Sequence, residues 1–201
     1  MNIIIIGCGS VGGTLAEKLN GDGNDVTVID KSAEKVKTIT SRCDVMGVVG
    51  NGATYTVQRE AGIDTADLLI AVTNSDELNL LCCMIAKKEG NCQTIARLKN
   101  PDYSTESLYL QKELGLAMVI NPEYAAAEEI ARVLRFPSAI KIEPFAKGKV
   151  ELIKFRLPKE SCLIGMSVKD MAIKFQPDIL VCTIEREDEA YIANGHSTFE
   201  E

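Results

Sequence analysis

Ile3-Ile4-Ile5-Ile6-Gly7-Cys8-Gly9-Ser10-Val11-Gly12, with Asp30 eighteen residues beyond the last glycine, is the stretch on which the fold turns. Four consecutive β-branched residues read as a strand buried on both faces, as in a parallel sheet. The strand runs directly into G-x-G-x-x-G, and Val11, Leu15 and Leu19 then recur at helical spacing. Each glycine meets a separate steric need. Gly7 allows the tight turn, Gly9 lets backbone approach a pyrophosphate, and Gly12 lets helix and strand sit close together. The helix N-terminus offers unpaired N–H groups and a partial positive charge to phosphates. A second strand, Asp25 to Ile29, ends in Asp30, whose carboxylate is placed to accept ribose hydroxyls, with Lys31 next in the chain. Strand, glycines, helix, strand and terminal acid in register imply a bound nucleotide or dinucleotide. Gly7, Cys8, Gly9, Ser10, Val11, Gly12, Asp30 and Lys31 are its first expected contacts.

The alternation of strand and helix continues. Ser32 can cap a helix carrying Val36 and Ile39, and Val45–Val49 reads as a third strand ending in Gly50-Asn51-Gly52. A short helix follows near Val57 to Ala61, then a fourth buried strand, Leu68 to Val72. Asn74 and Glu77 fit the N-cap and N3 positions of a capping box. The helix they open is expected to turn Leu78, Leu81, Cys82 and Ile85 inward and to stop at Gly90. Thr94–Leu98 and Ala117–Ile120 read as strands five and six, separated by a helix over Ser107–Leu114. Asn121-Pro122-Glu123 opens a last helix carrying Ile130, Val133 and Leu134, with Pro122 at the favoured first position. Six strands with intervening helices predict an α/β Rossmann-type doubly wound parallel sheet over residues 1–136.

Phe136-Pro137 breaks that pattern. Residues 140–145 and 150–157 read as strands around a hairpin turn, Ala146-Lys147-Gly148-Lys149. A helix near Val168–Phe175 and strands near Ile179–Glu185 and Ala190–Ala193 complete a small α+β C-terminal lobe, 137–201. It is too small for an ordinary dehydrogenase substrate domain. It ends without a closing strand, so a fragment of a longer polypeptide is expected.

Composition narrows the function. The chain has 201 residues, 5% aromatic and no Trp, which disfavours a surface that stacks bases or sugars. Its net charge is −7 with no basic block, which argues against a nucleic-acid partner. Cys8, Cys43, Cys82, Cys83, Cys92, Cys162 and Cys182 show neither C-x-x-C nor zinc spacing, and read as reduced thiols of a cytosolic protein. Most are expected to be small core hydrophobes, with Cys8 the one weighed as a redox reporter. No apolar run approaches the ~20 residues that span a bilayer, so membrane contact is expected only through a partner.

Further site candidates follow strands three to five, on the carboxyl edge where open parallel sheets bind ligands. Asn51 and Gly52 are turn residues or nucleotide contacts, and Thr73 and Asn74 cap a helix or line the site. Arg97, charged within an apolar strand, requires a partner, either a ligand phosphate or a structural carboxylate. The runs Glu128-Glu129 and Glu185 to Glu189 read as solvated. His196 is the lone histidine, far in sequence from the glycine loop. No proton donor for hydride chemistry can be nominated, which counts against catalysis. No metal site is expected.

Several longer stretches carry a family likeness. Gly7 to Ala16, Gly50-Asn51-Gly52, Arg59-Glu60-Ala61-Gly62, Ala71 to Asn79, Ala96-Arg97 and Asn100 to Tyr103 resemble the TrkA-type members of the RCK family, the regulators of K⁺ conductance. Leu163 to Val168 resembles the start of a helix in that family's second lobe. The resemblance implies NAD(H) contacts at Gly7 to Val11, Asp30, Thr73, Asn74 and Arg97, with ATP or ADP accepted in the same cleft. It implies a non-enzymatic regulatory subunit of Trk-type potassium uptake. Such a subunit forms homo-oligomers through its RCK lobes and sits in the cytoplasm, at the inner face of the membrane, beneath a pore-forming transporter subunit. Family members of this type carry two such units in tandem. The rival reading is an NAD-dependent oxidoreductase fragment.

Overall fold

A computed structural model describes residues 1–187 and 189–200, with backbone alone at Ser104, Thr105 and Lys147. The four isoleucines lie in β1 (Asn2–Ile6), and every one is at most 2% exposed. Their alternation along the strand sends Ile4 and Ile6 to one face of the sheet and Ile3 and Ile5 to the other. Both faces must therefore be covered. α1 (Ser10–Gly21) and α2 (Ala33–Thr40) supply Ala16, Val36 and Ile39 to one side. α3 (Tyr55–Glu60) and α4 (Asp76–Glu89) flank the other, where Cys82, Cys83 and Ala86 pack.

The remaining strands are β2 (Asp25–Asp30), β3 (Met46–Val49), β4 (Leu68–Ala71), β5 (Gln93–Arg97) and β6 (Met118–Ile120). The sheet has the order β3-β2-β1-β4-β5-β6, every pair parallel, which is the Rossmann arrangement anticipated above. The strand order reverses between β1 and β4. Their carboxyl ends, Ile6 and Ala71, thus open the crevice where such sheets take ligands.

Some local expectations shift. α4 is capped by Ser75, whose hydroxyl accepts from Leu78 N at 3.2 Å, one residue beyond the expected Asn74. The cap moves because Ser75 is extended and its short side chain reaches back to the third helical N–H, while Glu77 accepts from the Ser75 hydroxyl at 2.9 Å. The buried face of α4 accordingly carries Asp76, Asn79, Cys82, Cys83 and Ala86, and Leu81 is 46% exposed. Polar Asp76 and Asn79 occupy positions that hydrophobic periodicity does not assign to a core. A short helix, α5 (Pro101–Thr105), precedes α6 (Ser107–Glu113). α7 (Pro122–Arg135) starts at Pro122 as expected, with Asn121 Oδ1 accepting from Tyr124 N at 3.0 Å. Its Ile130, Val133 and Leu134 are exposed.

The chain divides into two units, Met1–Glu128 and Glu129–Glu201. The second contains an antiparallel hairpin of β7 (Ala139–Phe145) and β8 (Val150–Phe155), then α8 (Val168–Phe175) and a second hairpin of β9 (Thr183–Arg186) and β10 (Glu189–Ile192). Ser167 caps α8, accepting from Asp170 N at 3.0 Å, and a bridge links Ser167 to Thr198. Asp188, within the expected acidic loop, and the terminal Glu201 lie outside the described residues. Among the described residues no helix is long and apolar enough to cross a membrane, and no metal-binding cluster occurs.

Candidate functional site

The cleft is built from the ends of five strands. Gly7 turns out of β1 with φ +108°, a region closed to most side chains, and its N–H donates to Ile29 O at 2.8 Å. Gly12 sits in the first turn of α1, where an added Cβ would lie 1.8 Å from the Gly7 carbonyl oxygen. That contact is backbone against backbone, so only glycine lets α1 seat this close to β1. At Gly9 an added Cβ would meet nothing within 4 Å, because that face opens into the cleft. Gly9 is the N-cap of α1 and offers no side-chain acceptor to the first-turn N–H groups. They remain available to an anion.

Asp30 closes the adjoining side. One carboxylate oxygen accepts from Cys8 N at 2.7 Å and the other from Ser32 N at 2.9 Å. The side chain therefore ties the glycine loop to the start of α2, and each oxygen keeps a further lone pair that a ribose hydroxyl can use. Across the cleft Arg97 is partly buried, its side chain 11% exposed, and its guanidinium pairs with Glu123 of α7. Its Nε has no partner among the described residues. Burial works against the charge on Glu123, but its own main-chain N–H and Arg97 together hold its carboxyl below the usual range. The structural carboxylate weighed as a partner for Arg97 is thus present, on α7.

Of the residues expected from the sequence, Gly7, Gly9, Ser10, Val11, Asp30, Lys31, Asn51, Gly52, Thr73, Asn74 and Arg97 line this one cleft. Cys8 and Gly12 do not line it: Cys8 packs into the core through its side chain, and Gly12 is pressed against Gly7. Lys35, Gly50 and Leu78 line it as well and were not anticipated. Lys35 stands in the first turn of α2, three residues after its N-cap Ser32, a position whose side chain the sequence reading did not assign.

A family model, the TrkA-N domain, matches residues 3–122. The chain belongs to the TrkA-N domain family. It is 39% identical over 202 residues to the Trk system potassium uptake protein trkA homolog 1 of Methanosarcina mazei, which covers 97% of this chain and 48% of that protein. The chain thus spans about half the length of the curated relatives it matches. Among solved structures, the TrkA-N domain of inner membrane protein ybaL from Escherichia coli superposes with a TM-score of 0.59 at 26% identity, covering 66% of this chain and 96% of that one. The GsuK channel bound to NAD superposes with a TM-score of 0.60 at 15% identity, covering 99% of this chain and 35% of that one, a likeness of fold alone.

In this TrkA-N domain the loop cysteine is not exposed for redox chemistry. Cys8 is 8% exposed, and burial, reinforced by the Asp30 charge, pushes its thiol up to about 12. Burial likewise raises Cys82 to about 12 and lifts Cys83 and Cys92. At pH 8 a thiol reagent is expected to label exposed Cys162 and Cys182 first and to spare Cys8, Cys82, Cys83 and Cys92 until denaturant is added. Peptide mass mapping reads this directly, and fast labelling at Cys8 would contradict the packing described. Thiols raised in the folded state also have a linked effect. Their stabilisation is complete below the ordinary thiol value of 9.0 and is lost as pH rises toward 12.

Proposed function

We propose that this chain is the nucleotide-sensing part of a Trk-type potassium uptake system. NAD(H), or ATP and ADP, occupies the cleft as a signal and is not chemically consumed. The observation that carries this reading is the convergence of an uncapped helix N-terminus, a ribose-ready Asp30 and a partly buried Arg97 on one cleft at the switch point of the sheet. It is supported by the potassium-uptake names of the relatives and by the NAD-bound GsuK channel of the same fold. Residues 1–136 serve as the nucleotide-binding lobe and 137–201 as an RCK-type C-terminal lobe. The lobes assemble with further copies beneath a membrane transporter subunit at the cytoplasmic face. Two ligand states then bias two arrangements of that assembly. Driving such an equilibrium from 1:99 to 99:1 takes about 5.5 kcal/mol of differential affinity, shared over several sites.

Calorimetric titration with NAD, NADH, ATP and ADP tests the reading, alongside absorbance at ~340 nm, the reduced-nicotinamide band, with a panel of small alcohols and oxo-acids. Saturable binding without turnover is expected. Sustained nicotinamide conversion would establish the oxidoreductase alternative instead.

The ion pair adds a sharper expectation. A ligand phosphate that reaches Arg97 must compete with Glu123 for it. Arg97→Gln is expected to weaken nucleotide binding by roughly tenfold or more, the worth of a charge-assisted hydrogen bond. Glu123→Gln is expected to strengthen it, most for the nucleotide with the highest phosphate charge. Calorimetry on the two variants separates these opposite signs, and a loss of affinity in Glu123→Gln would refute the competition.

A further inference from the structure

Asn79 does not line the cleft, yet its side chain holds two of the strands that end there. It is fully buried in the first turn of α4, 0% exposed. Its Oδ1 accepts from Thr73 N at 2.8 Å and from the Thr73 hydroxyl at 2.7 Å. Its Nδ2 donates to Thr73 O at 3.3 Å and to Arg97 O at 2.8 Å. The parallel ladder between β4 and β5 has its last register pair at Ala71 and Ala96, so Thr73 and Arg97 lie where the β4–β5 ladder no longer sets their spacing. The Asn79 amide has the donor and acceptor of a peptide unit and serves both chains as one more rung. Asp76, one turn earlier, does the same for the following loop, accepting from Lys99 N and Asn100 N at 2.8 Å each.

We infer that Asn79 is a positioning residue for ligand binding: its amide fixes Thr73 and the Arg97 main chain in the one spacing that presents both to a nucleotide. The inference rests on the nucleotide reading of the cleft. Aspartate has the same shape but no donor, so its carboxylate would face the Thr73 and Arg97 carbonyl oxygens. Serine is too short to reach both strands. Cavity formation alone would lower stability without altering a folded site, whereas a lost rung alters the site itself.

The test uses the full chain and the variants Asn79→Asp and Asn79→Ser, with Cys82→Ala as a control that removes buried volume from α4 but leaves the Asn79 side-chain hydrogen bonds in place. Amide hydrogen exchange is measured at Thr73 without ligand, and ADP and NAD affinities are measured by calorimetry under conditions where each variant is folded. Thr73 is expected to exchange at least tenfold faster in Asn79→Ser, which withdraws the acceptor, whereas Asn79→Asp keeps an acceptor for Thr73 N and loses the donations to Thr73 O and Arg97 O; core amides such as Ile5 should be little changed in either. Nucleotide affinity is expected to fall about 10- to 100-fold, the range for losing one or two buried hydrogen bonds at a site. Cys82→Ala should bind like the parent. Unchanged Thr73 exchange in Asn79→Ser would show that the rung is absent, and affinity within about threefold of the parent in both variants would show that it positions nothing. A parent chain that binds neither ADP nor NAD would overturn the nucleotide reading, and the positioning role with it, while the exchange measurement still reports separately on the rung. If both Asn79 variants fail to fold while Cys82→Ala folds, Asn79 is structural and the inference is overturned.

Discussion

Gly12→Ala is expected to destabilise the amino-terminal unit by about 3 kcal/mol or more, at the upper end of the cost of overpacking. The added methyl would stand 1.8 Å from the Gly7 carbonyl oxygen and 3.3 Å from a Val72 methyl. Neither the β1 turn nor the first turn of α1 is a flexible side-chain tip that can move aside. Relief requires α1 to lift off the sheet, which uncovers Ile3, Ile5 and Val28 beneath it. Because domains hold only about 5–15 kcal/mol in total, this is a large fraction. The urea midpoint reads it. A shift worth less than about 0.5 kcal/mol, the size of an ordinary surface substitution, would mean that helix and strand are not in the contact described.

Asp30→Ala is expected to carry the largest effect on binding. Its carboxylate is at once the proposed acceptor for ribose hydroxyls and the anchor of the glycine loop, through Cys8 N and Ser32 N. Each charge-assisted hydrogen bond is worth roughly 1.5–3 kcal/mol, so losing the ligand's share alone costs about 10- to 100-fold in affinity. Releasing the loop adds to it. Asp30→Asn separates the two roles, since its amide oxygen can still accept one of the two main-chain N–H groups but no longer carries charge. Calorimetry should rank the parent above Asp30→Asn and that above Asp30→Ala, with the sheet still folded by circular dichroism. Equal affinities across the three would place the ribose elsewhere.

Much of this site was legible in the chain because its determinants are local. A glycine that must turn and a carboxylate at a strand end are read from spacing, and parallel-strand topology then dictates that the strand ends meet. Asn79 and Asp76 were not legible as buried groups. A polar residue on a helix pattern reads as solvent-facing, and only the position of neighbouring strand ends shows that main-chain groups await it. Leu81 failed for the converse reason: an apolar residue at helical spacing is assigned inward, although the inward face was already taken by Asp76, Asn79 and Cys83. Arg97 announced that it needed a counter-charge, but not which one, because Glu123 lies 26 residues away and is brought to it by β6 and the start of α7.

Taken alone, the order of residues determined the six-stranded α/β plan, the glycine loop and the acid opposite it, since these follow from hydrophobic period and from the steric needs of single residues. Tertiary structure decided which polar side chains act as rungs between strands, which cysteines are sealed from solvent and which carboxylate meets Arg97. Those depend on distances between segments remote in the chain, and no local periodicity encodes them.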